Sequence, residues 1–427
     1  MTVHDQVRAA RQAFYRLAIS PIETRNAILR AMAALLESEQ DDILAANARD
    51  TDAAASSQLA GPLYRRLQLS ESKVRVMADS LRSVASLPDP IGSVELVREL
   101  DEGLVLSQVR VPIGVIGVIF ESRPDALVQI ASLAVKSGNA VILKGGSEAR
   151  ETNRRLHALF ARAIDEAATE VPGLSDALQL VETREDIRTV LELDSQIDLM
   201  IPRGSSELVR FIQQNTRIPV LGHADGVCHL YIHHDADPAM AVSLTKDAKT
   251  QYPAVCNAIE TLLVHEQAVG LLPAIADAMP EVELRGCERT RTHIDAPAAT
   301  EDDWRAEYND LVLAIRVVDS LDDAITHINR YGSHHTDAIV TGSREAADRF
   351  MREIDSSSVL WNASPRFADG FRYGLGAEVG ISTGKLHARG PVGLHGLTTT
   401  QYRVVGSGHI VADYAGGRRS FTHRELV

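Results

Sequence analysis

The sequence predicts an α/β protein with two doubly wound α/β domains and a β-hairpin arm, on three observations. Short apolar runs alternate with stretches of helical length from residue 115 onward, as in a parallel sheet with helices on both faces. The alternation restarts near Asp235, so a single sheet does not account for it. The chain has 427 residues, and at ~100–200 residues per domain it holds two or three cores.

Residues 1–87 read as helical, with Ile28, Met32, Leu35 and Leu36 at the i, i+4, i+7, i+8 spacing of one buried face. Pro88-Asp89-Pro90 ends that pattern, because neither proline continues a helix. Glu95–Leu100 and Leu104–Val111 flank Asp101-Glu102-Gly103 as a hairpin. Such a hairpin is either an oligomerisation arm or an extra strand pair on its own domain. Strands are then expected at Val115–Phe120, Ala140–Lys144, Leu178–Val181, Asp198–Ile201 and Ile218–Leu221. Helices over 125–136, 148–168, 184–193 and 206–215 separate them. The second domain reads as helix 238–250, strand Ile259–Val264, helix 266–279, strand Leu311–Val318, helix 321–330, strand Asp337–Val340 and helix 343–353. Glycines 370, 374, 376, 380, 384, 390, 393 and 396 crowd one stretch, where backbone is expected to approach a ligand or another strand.

Composition narrows the function. Lys and Arg number 44 against 58 Asp and Glu, a net charge of −14, and no long basic block occurs. That excludes nucleic acid and anionic membrane as primary partners. Apolar runs fall far short of the ~18 residues a bilayer needs, and the charged N-terminus shows no secretory signal. Cys228, Cys256 and Cys287 form no CxxC pair, which suits free thiols in a reducing compartment; a cytoplasmic location is expected. His233-His234-Asp235 and His334-His335 lack HExxH or Cys/His spacing, so surface or supporting roles are expected and no metal. No GxSxG elbow marks a serine nucleophile.

Several stretches carry candidate chemistry. The first βα turn, Phe120-Glu121-Ser122-Arg123-Pro124-Asp125, lacks GxGxxG, so the sheet binds no dinucleotide or binds one in another manner. Lys144, in Lys144-Gly145-Gly146-Ser147-Glu148, stands where NAD sites place a carboxylate. A lysine there favours the 2′-phosphate of NADP; the alternative is a solvated strand-end lysine. Arg203-Gly204-Ser205-Ser206 opens a helix with small residues, suited to a phosphate or to a plain cap. Cys256 precedes an apolar strand in a turn, where a thiol is either a nucleophile or an inert core group.

Four separated blocks then resemble one family. They are Val111–Asp125 (VPIGVIGVIFESRPD), Gly138–Ala149 (GNAVILKGGSEA), Cys256–Thr261 (CNAIET) and Gly376–Thr383 (GAEVGIST). Nearly the whole chain resembles the glutamate-5-semialdehyde dehydrogenases, also called gamma-glutamyl phosphate reductases, within the aldehyde dehydrogenase superfamily. The resemblance implies an aldehyde-dehydrogenase-like fold: an NADP-binding domain over 1–94 and 112–234, and a catalytic domain over 235–384. Residues 95–111 and 385–427 would form the oligomerisation arm and C-terminal strands.

The implied activity is NADPH-dependent reduction of L-glutamyl 5-phosphate to L-glutamate 5-semialdehyde in proline biosynthesis. Implied partners are a small-molecule substrate, further copies of the chain, and glutamate 5-kinase as a functional contact. Cys256 becomes the nucleophile that forms a thioester. Lys144, Ser147, Arg203, Gly204, Ser205 and Glu307 become NADP-binding residues, with Glu307 on the nicotinamide ribose. Ser122, Arg123, His223 and Arg389 become substrate candidates, Ser122 replacing the superfamily's oxyanion asparagine. The Cys256 N–H is the expected oxyanion donor. An acid-forming relative would carry a glutamate base after the fifth strand, where this chain reads Leu221-Gly222-His223-Ala224-Asp225-Gly226. The rival readings are another oxidoreductase of the superfamily and a catalytically silent nucleotide-binding scaffold.

Overall fold

The computed structural model describes every residue except Gln58, Ala60, Ser122, Ala224 and Val427, and every remaining side chain except that of Pro62. Ser122, expected near the substrate, therefore lies outside the described residues. The chain forms two compact units, one of residues 1–221, 375–380 and 392–427, the other of residues 222–374 and 381–391.

The first unit opens with helices Val3–Leu17, Ile22–Ser38, Gln40–Ser56, Gly61–Leu67 and Glu71–Ser86. Ile28, Met32 and Leu36 are fully buried, as their spacing requires. The unit's main sheet is parallel throughout, in the order Leu178–Leu180, Ala140–Lys144, Val115–Phe120, Leu199–Arg203. Val115–Phe120 is buried along its length, which explains its unbroken apolar run. The strand expected at Ile218–Leu221 is reduced to one bridge, Val220 beside Met200. Pro219 has no N–H to extend that ladder.

The hairpin Val94–Asp101 and Leu104–Pro112 joins a second, antiparallel sheet. Strand Thr398–Val405 pairs with one side of it and Arg424–Glu425 with the other. Tyr402, Val404, Val405, Ile410 and Val411 stay exposed along this C-terminal part.

The second unit holds a six-stranded parallel sheet in the order Ser358–Trp361, Thr336–Val340, Cys228–Ile232, Ile259–His265, Val312–Val318, Glu283–Gly286. Three of these strands, the first, third and sixth in that order, escape the apolar-run reading. Cys228–Ile232 is fully buried, but Cys228 and His229 interrupt its apolar pattern. Because this strand belongs to the second sheet, the unit boundary falls after Leu221 rather than at 234/235. Side chains alternate between two cores, with Leu230, Leu262, Ile315 and Ala338 on one face. Tyr231, Leu263, Ile339 and Phe350 pack on the other. The helix expected over 266–279 is a 3-10 turn, Glu266–Leu271, followed by the α-helix Leu272–Ala278. Gly270 and Pro273 divide it.

The glycine-rich stretch passes between the units, its residues 370–374 and 381–391 in the second and 375–380 and 392–396 in the first. Among the described residues, no helix is long and apolar enough to cross a membrane.

Candidate active site

Cys256 sits in the turn between helix Pro238–Thr250 and strand Ile259–His265, with its thiol half-buried. The backbone at Gly226 packs directly on it. A Cβ on Gly226 would fall 2.5 Å from the Cys256 carbonyl oxygen and 2.7 Å from its Cβ, so only glycine allows the approach. Among the described residues no carbonyl accepts the Cys256 N–H. Behind it, the Cys228 thiol donates to the Cys256 carbonyl at 3.1 Å. Burial pushes the Cys228 thiol well above the usual range and keeps it neutral.

Two imidazoles face this thiol. His223 Nδ1 lies 2.8 Å from the Ile381 carbonyl. A carbonyl only accepts, so Nδ1 carries the proton and Nε2 is left for other partners. His335 is fully buried, and its ring meets His223 edge-on with centroids 4.8 Å apart. Its Nδ1 is 2.8 Å from the Thr336 hydroxyl, while Nε2 is buried with no partner among the described residues. Cys256 Sγ and one ring nitrogen from each histidine all lie within 4.8 Å of one another.

The sequence reading put the His334-His335 pair at the surface or in support of other groups. His334 adopts a positive φ of 61° and its Nδ1 lies 2.7 Å from the Asp355 carbonyl, which turns only His335 inward. Arg366 is a second residue that the motifs did not single out. It is buried, its Nε and Nη2 donate to the Gln251 side chain at 3.1 and 3.0 Å, and it lies near enough to Cys256 to interact electrostatically. Burial lowers its pKa. A buried arginine after Ser364-Pro365 has no spacing signature, so only the fold reveals it.

Glu307 accepts the Gly226 N–H, which ties it to the segment over Cys256. Burial raises its pKa, and that hydrogen bond opposes the rise. Just beyond it, Asn309 (φ 55°) donates its N–H to Glu260 Oε1 at 3.2 Å. Glu260 in turn pairs with Lys249 at 2.5 Å, both groups almost wholly buried. Burial pushes the Glu260 carboxyl up to about 7, and the Lys249 ammonium limits the rise.

The coenzyme candidates other than Glu307 lie in the first unit, at or just beyond strand ends. Lys144 ends its strand half-buried, and burial lowers its pKa. Among the described residues it forms no direct ion pair; Glu148 and Glu121 act on it at longer range. Gly145, Gly146, Ser147, Arg150, Asn153 and Glu182 line a narrow cleft beside it. Asn153 Oδ1 is buried there without a partner among the described residues. A Cβ on Gly145 would fall 2.1 Å from Asn153 Nδ2. A lysine and an amide oxygen with no direct partner among the described residues, beside a glycine-lined cleft, fit an anionic nucleotide.

Arg203 ends the neighbouring strand Leu199–Arg203, and Gly204 leads to Ser205, the cap of helix Ser206–Asn215. Ser205 Oγ accepts the Leu208 N–H at 3.4 Å, so the capping role is present. The Ser205 N–H donates to Glu121 Oε2 at 2.7 Å. The protein's own carboxylate therefore occupies the helix start, where the dipole favours an anion.

Two expected substrate ligands are engaged elsewhere. Arg123 pairs with Asp125 at 3.0 Å within its own turn in the first unit. Arg389 pairs with Asp355 at 3.1 Å and donates to the Thr383 and Asp355 carbonyls.

The aldehyde dehydrogenase family model matches residues 1–285. The gamma-glutamyl phosphate reductase of Pelotomaculum thermopropionicum is 54% identical, over 100% of this chain and 98% of that protein. A gamma-glutamyl phosphate reductase from Thermotoga maritima, solved by crystallography, superposes with a TM-score of 0.91 at 39% identity, covering 96% of this chain and 100% of that one. An acetylating aldehyde dehydrogenase from Geobacillus thermoglucosidasius, 16% identical over 96% of this chain and 97% of its own, shares the fold at a TM-score of 0.67. This chain belongs to the gamma-glutamyl phosphate reductases, a branch of the aldehyde dehydrogenase family.

Proposed function

We propose that the chain reduces L-glutamyl 5-phosphate to L-glutamate 5-semialdehyde and phosphate with NADPH, as a step of L-proline biosynthesis. One observation carries the chemistry: a half-buried thiol lies under a glycine-permitted segment, with its own N–H unclaimed by any described carbonyl. Cys256 Sγ attacks the acyl carbon and the bond to the phosphate oxygen breaks. Phosphate leaves with that electron pair and a thioester forms on Cys256. The Cys256 N–H donates to the acyl oxygen as negative charge develops on it.

The coenzyme, when bound, supplies the hydride that takes the thioester to the aldehyde level. Lys144 is assigned to its 2′-phosphate, which is the basis for choosing NADPH over NADH. Ser147, Arg203, Gly204 and Ser205 are assigned to its phosphates, and Glu307 to its nicotinamide ribose. Glu121 must leave the Ser205 N–H if a pyrophosphate takes that place. When the carbon–sulfur bond breaks, the thiolate is restored and the aldehyde departs. Arg366 and His223 suit the substrate's anionic groups, and Arg123 and Arg389 would have to release their carboxylates to join them. The partner suited to the exposed apolar residues at Tyr402, Val404 and Val405 is a further copy of the chain.

The test runs the reaction backward. Purified protein with glutamate 5-semialdehyde and NADP should form NADPH only when phosphate or arsenate is added. Steady NADPH formation without either, with glutamate accumulating, would refute the reductase reading.

A further inference from the structure

We propose that Cys256 Sγ, His223 Nε2 and His335 Nε2 form a binding site for a thiophilic divalent cation of the zinc class, whose occupancy reversibly disables the thiol. The donor set is one sulfur and two imidazole nitrogens, the soft-to-borderline mixture that selects zinc over magnesium or calcium. Cys256 Sγ and one ring nitrogen of each histidine already lie within 4.8 Å of one another. A tetrahedral zinc with bonds of ~2.0–2.3 Å needs its donors ~3.3–3.6 Å apart, a closure of at most about 1.5 Å.

The rings are also held as ligands need to be. The Ile381 carbonyl takes the His223 Nδ1 proton, the outer contact that fixes a metal-binding imidazole with Nε2 outward. His335 Nδ1 is held by the Thr336 hydroxyl at 2.8 Å, and Cys228 Sγ lies 3.7 Å from the same nitrogen. That leaves His335 Nε2, buried and without a partner among the described residues, as a polar atom whose desolvation none of them offsets. A cation bonded to Nε2 would offset it.

Binding forms the sulfur–metal bond as the S–H bond breaks, and one proton passes to solvent. Three protein ligands leave a fourth position for water. The thiolate's electron pair is then committed to the metal, so the cation competes with acyl substrate for Cys256. The inference rests on the geometry around Cys256 and holds whichever acyl compound that thiol attacks.

A second histidine group supplies the internal control. His233, His234 and Asp235 also bring ligand atoms together at the far ends of the same strands, but they offer no thiol. His233 Nδ1 is already 2.8 Å from the Tyr231 hydroxyl.

The experiment titrates the full-length protein, reduced with a phosphine rather than a dithiol, with Co2+ alone and then with Zn2+. One Co2+ per chain should bind with a thiolate-to-cobalt charge-transfer band, and Zn2+ should abolish the band by displacement. Cys256→Ser should remove the band, His223→Ala and His335→Asn should each weaken binding at least tenfold, and His234→Ala should change nothing. A band that persists in Cys256→Ser, is undiminished in both histidine variants, or disappears in His234→Ala overturns the proposal. Should His335→Asn fail to fold, the unaltered chain decides. Zn2+ must slow alkylation of Cys256 by iodoacetamide, mapped by mass spectrometry, and a chelator must restore the rate. A rate indifferent to Zn2+ overturns the site. Neither readout needs acyl substrate or coenzyme, so its failure is distinct from failure of the reductase reading.

Discussion

Replacing Lys249 with methionine removes one half of a buried ion pair and leaves the other half in the core. Lys249 and Glu260 are 0% and 1% exposed and 2.5 Å apart, so Glu260 in Lys249→Met has no cation to answer it. The carboxyl then escapes its charge by taking a proton. Holding the carboxyl protonated at pH 8.5 costs about 5 kcal/mol against its ordinary 4.5; the unaltered chain, with Glu260 already raised to about 7, bears about 3 kcal/mol of that, so the variant loses about 2 kcal/mol. A carboxyl whose folded pKa lies above its unfolded value binds more protons when folded, so stability falls as pH rises through that window. In Lys249→Met the window extends further above pH 7, so the cost of the substitution should shrink by about 1.4 kcal/mol per pH unit on acidification from pH 8.5 towards 7 and level off below it, where Glu260 is protonated in both proteins. Adding Glu260→Gln removes the charge and keeps an acceptor for the Asn309 N–H, so the double variant should be more stable than Lys249→Met at pH 8.5. Urea unfolding followed by tryptophan fluorescence is the assay. Both of the chain's two tryptophans, Trp304 and Trp361, lie in the second unit with the pair. A loss below about 1 kcal/mol at pH 8.5, a loss that does not grow between pH 7 and pH 8.5, or a double variant no better than the single would refute the reasoning.

Three further outcomes are expected. Lys144→Ala should raise the KM for NADPH about tenfold or more while changing that for NADH little, because only NADPH offers a 2′-phosphate; equal losses would remove Lys144 from that contact. Cys256→Ser should lower turnover by about a thousandfold or more with an unchanged melting temperature, whereas Cys287→Ser should keep most activity; substantial turnover in the serine variant contradicts a covalent mechanism. Burial holds His327 at about 2 and His233 at about 4, against an ordinary 6.5. The unfolded chain takes these protons first, so stability should drop as pH falls below about 6.5, by about 1.4 kcal/mol per unit for each group. His327→Gln should flatten that slope, and an unchanged slope would show that the proton uptake lies elsewhere.

The sequence by itself determined the class of fold, because burial on both faces of a parallel sheet leaves an apolar run in the chain. Val115–Phe120 and Ala140–Leu143 both carry that mark. It also determined the family, because CNAIET and the blocks before and after it lie in order along one chain. Strands without the mark stayed hidden. Cys228–Ile232 is wholly buried, yet a thiol and an imidazole replace aliphatic side chains where it passes beneath Cys256 and pairs with Asp337.

The surroundings of Cys256 were decided by tertiary structure alone. His223, Cys256, His335, Glu307 and Arg366 are spread over more than a hundred residues of sequence, and no local periodicity relates them. Parallel strands carry their starting ends to one edge of the sheet. There Gly226 lets one segment lie on Cys256, and a left-handed turn at His334 sends His335 inward. Tertiary packing likewise put Glu121 on the helix start that sequence reasoning reserved for a phosphate, since an exposed N–H at a positive helix end takes whichever anion the fold brings nearest.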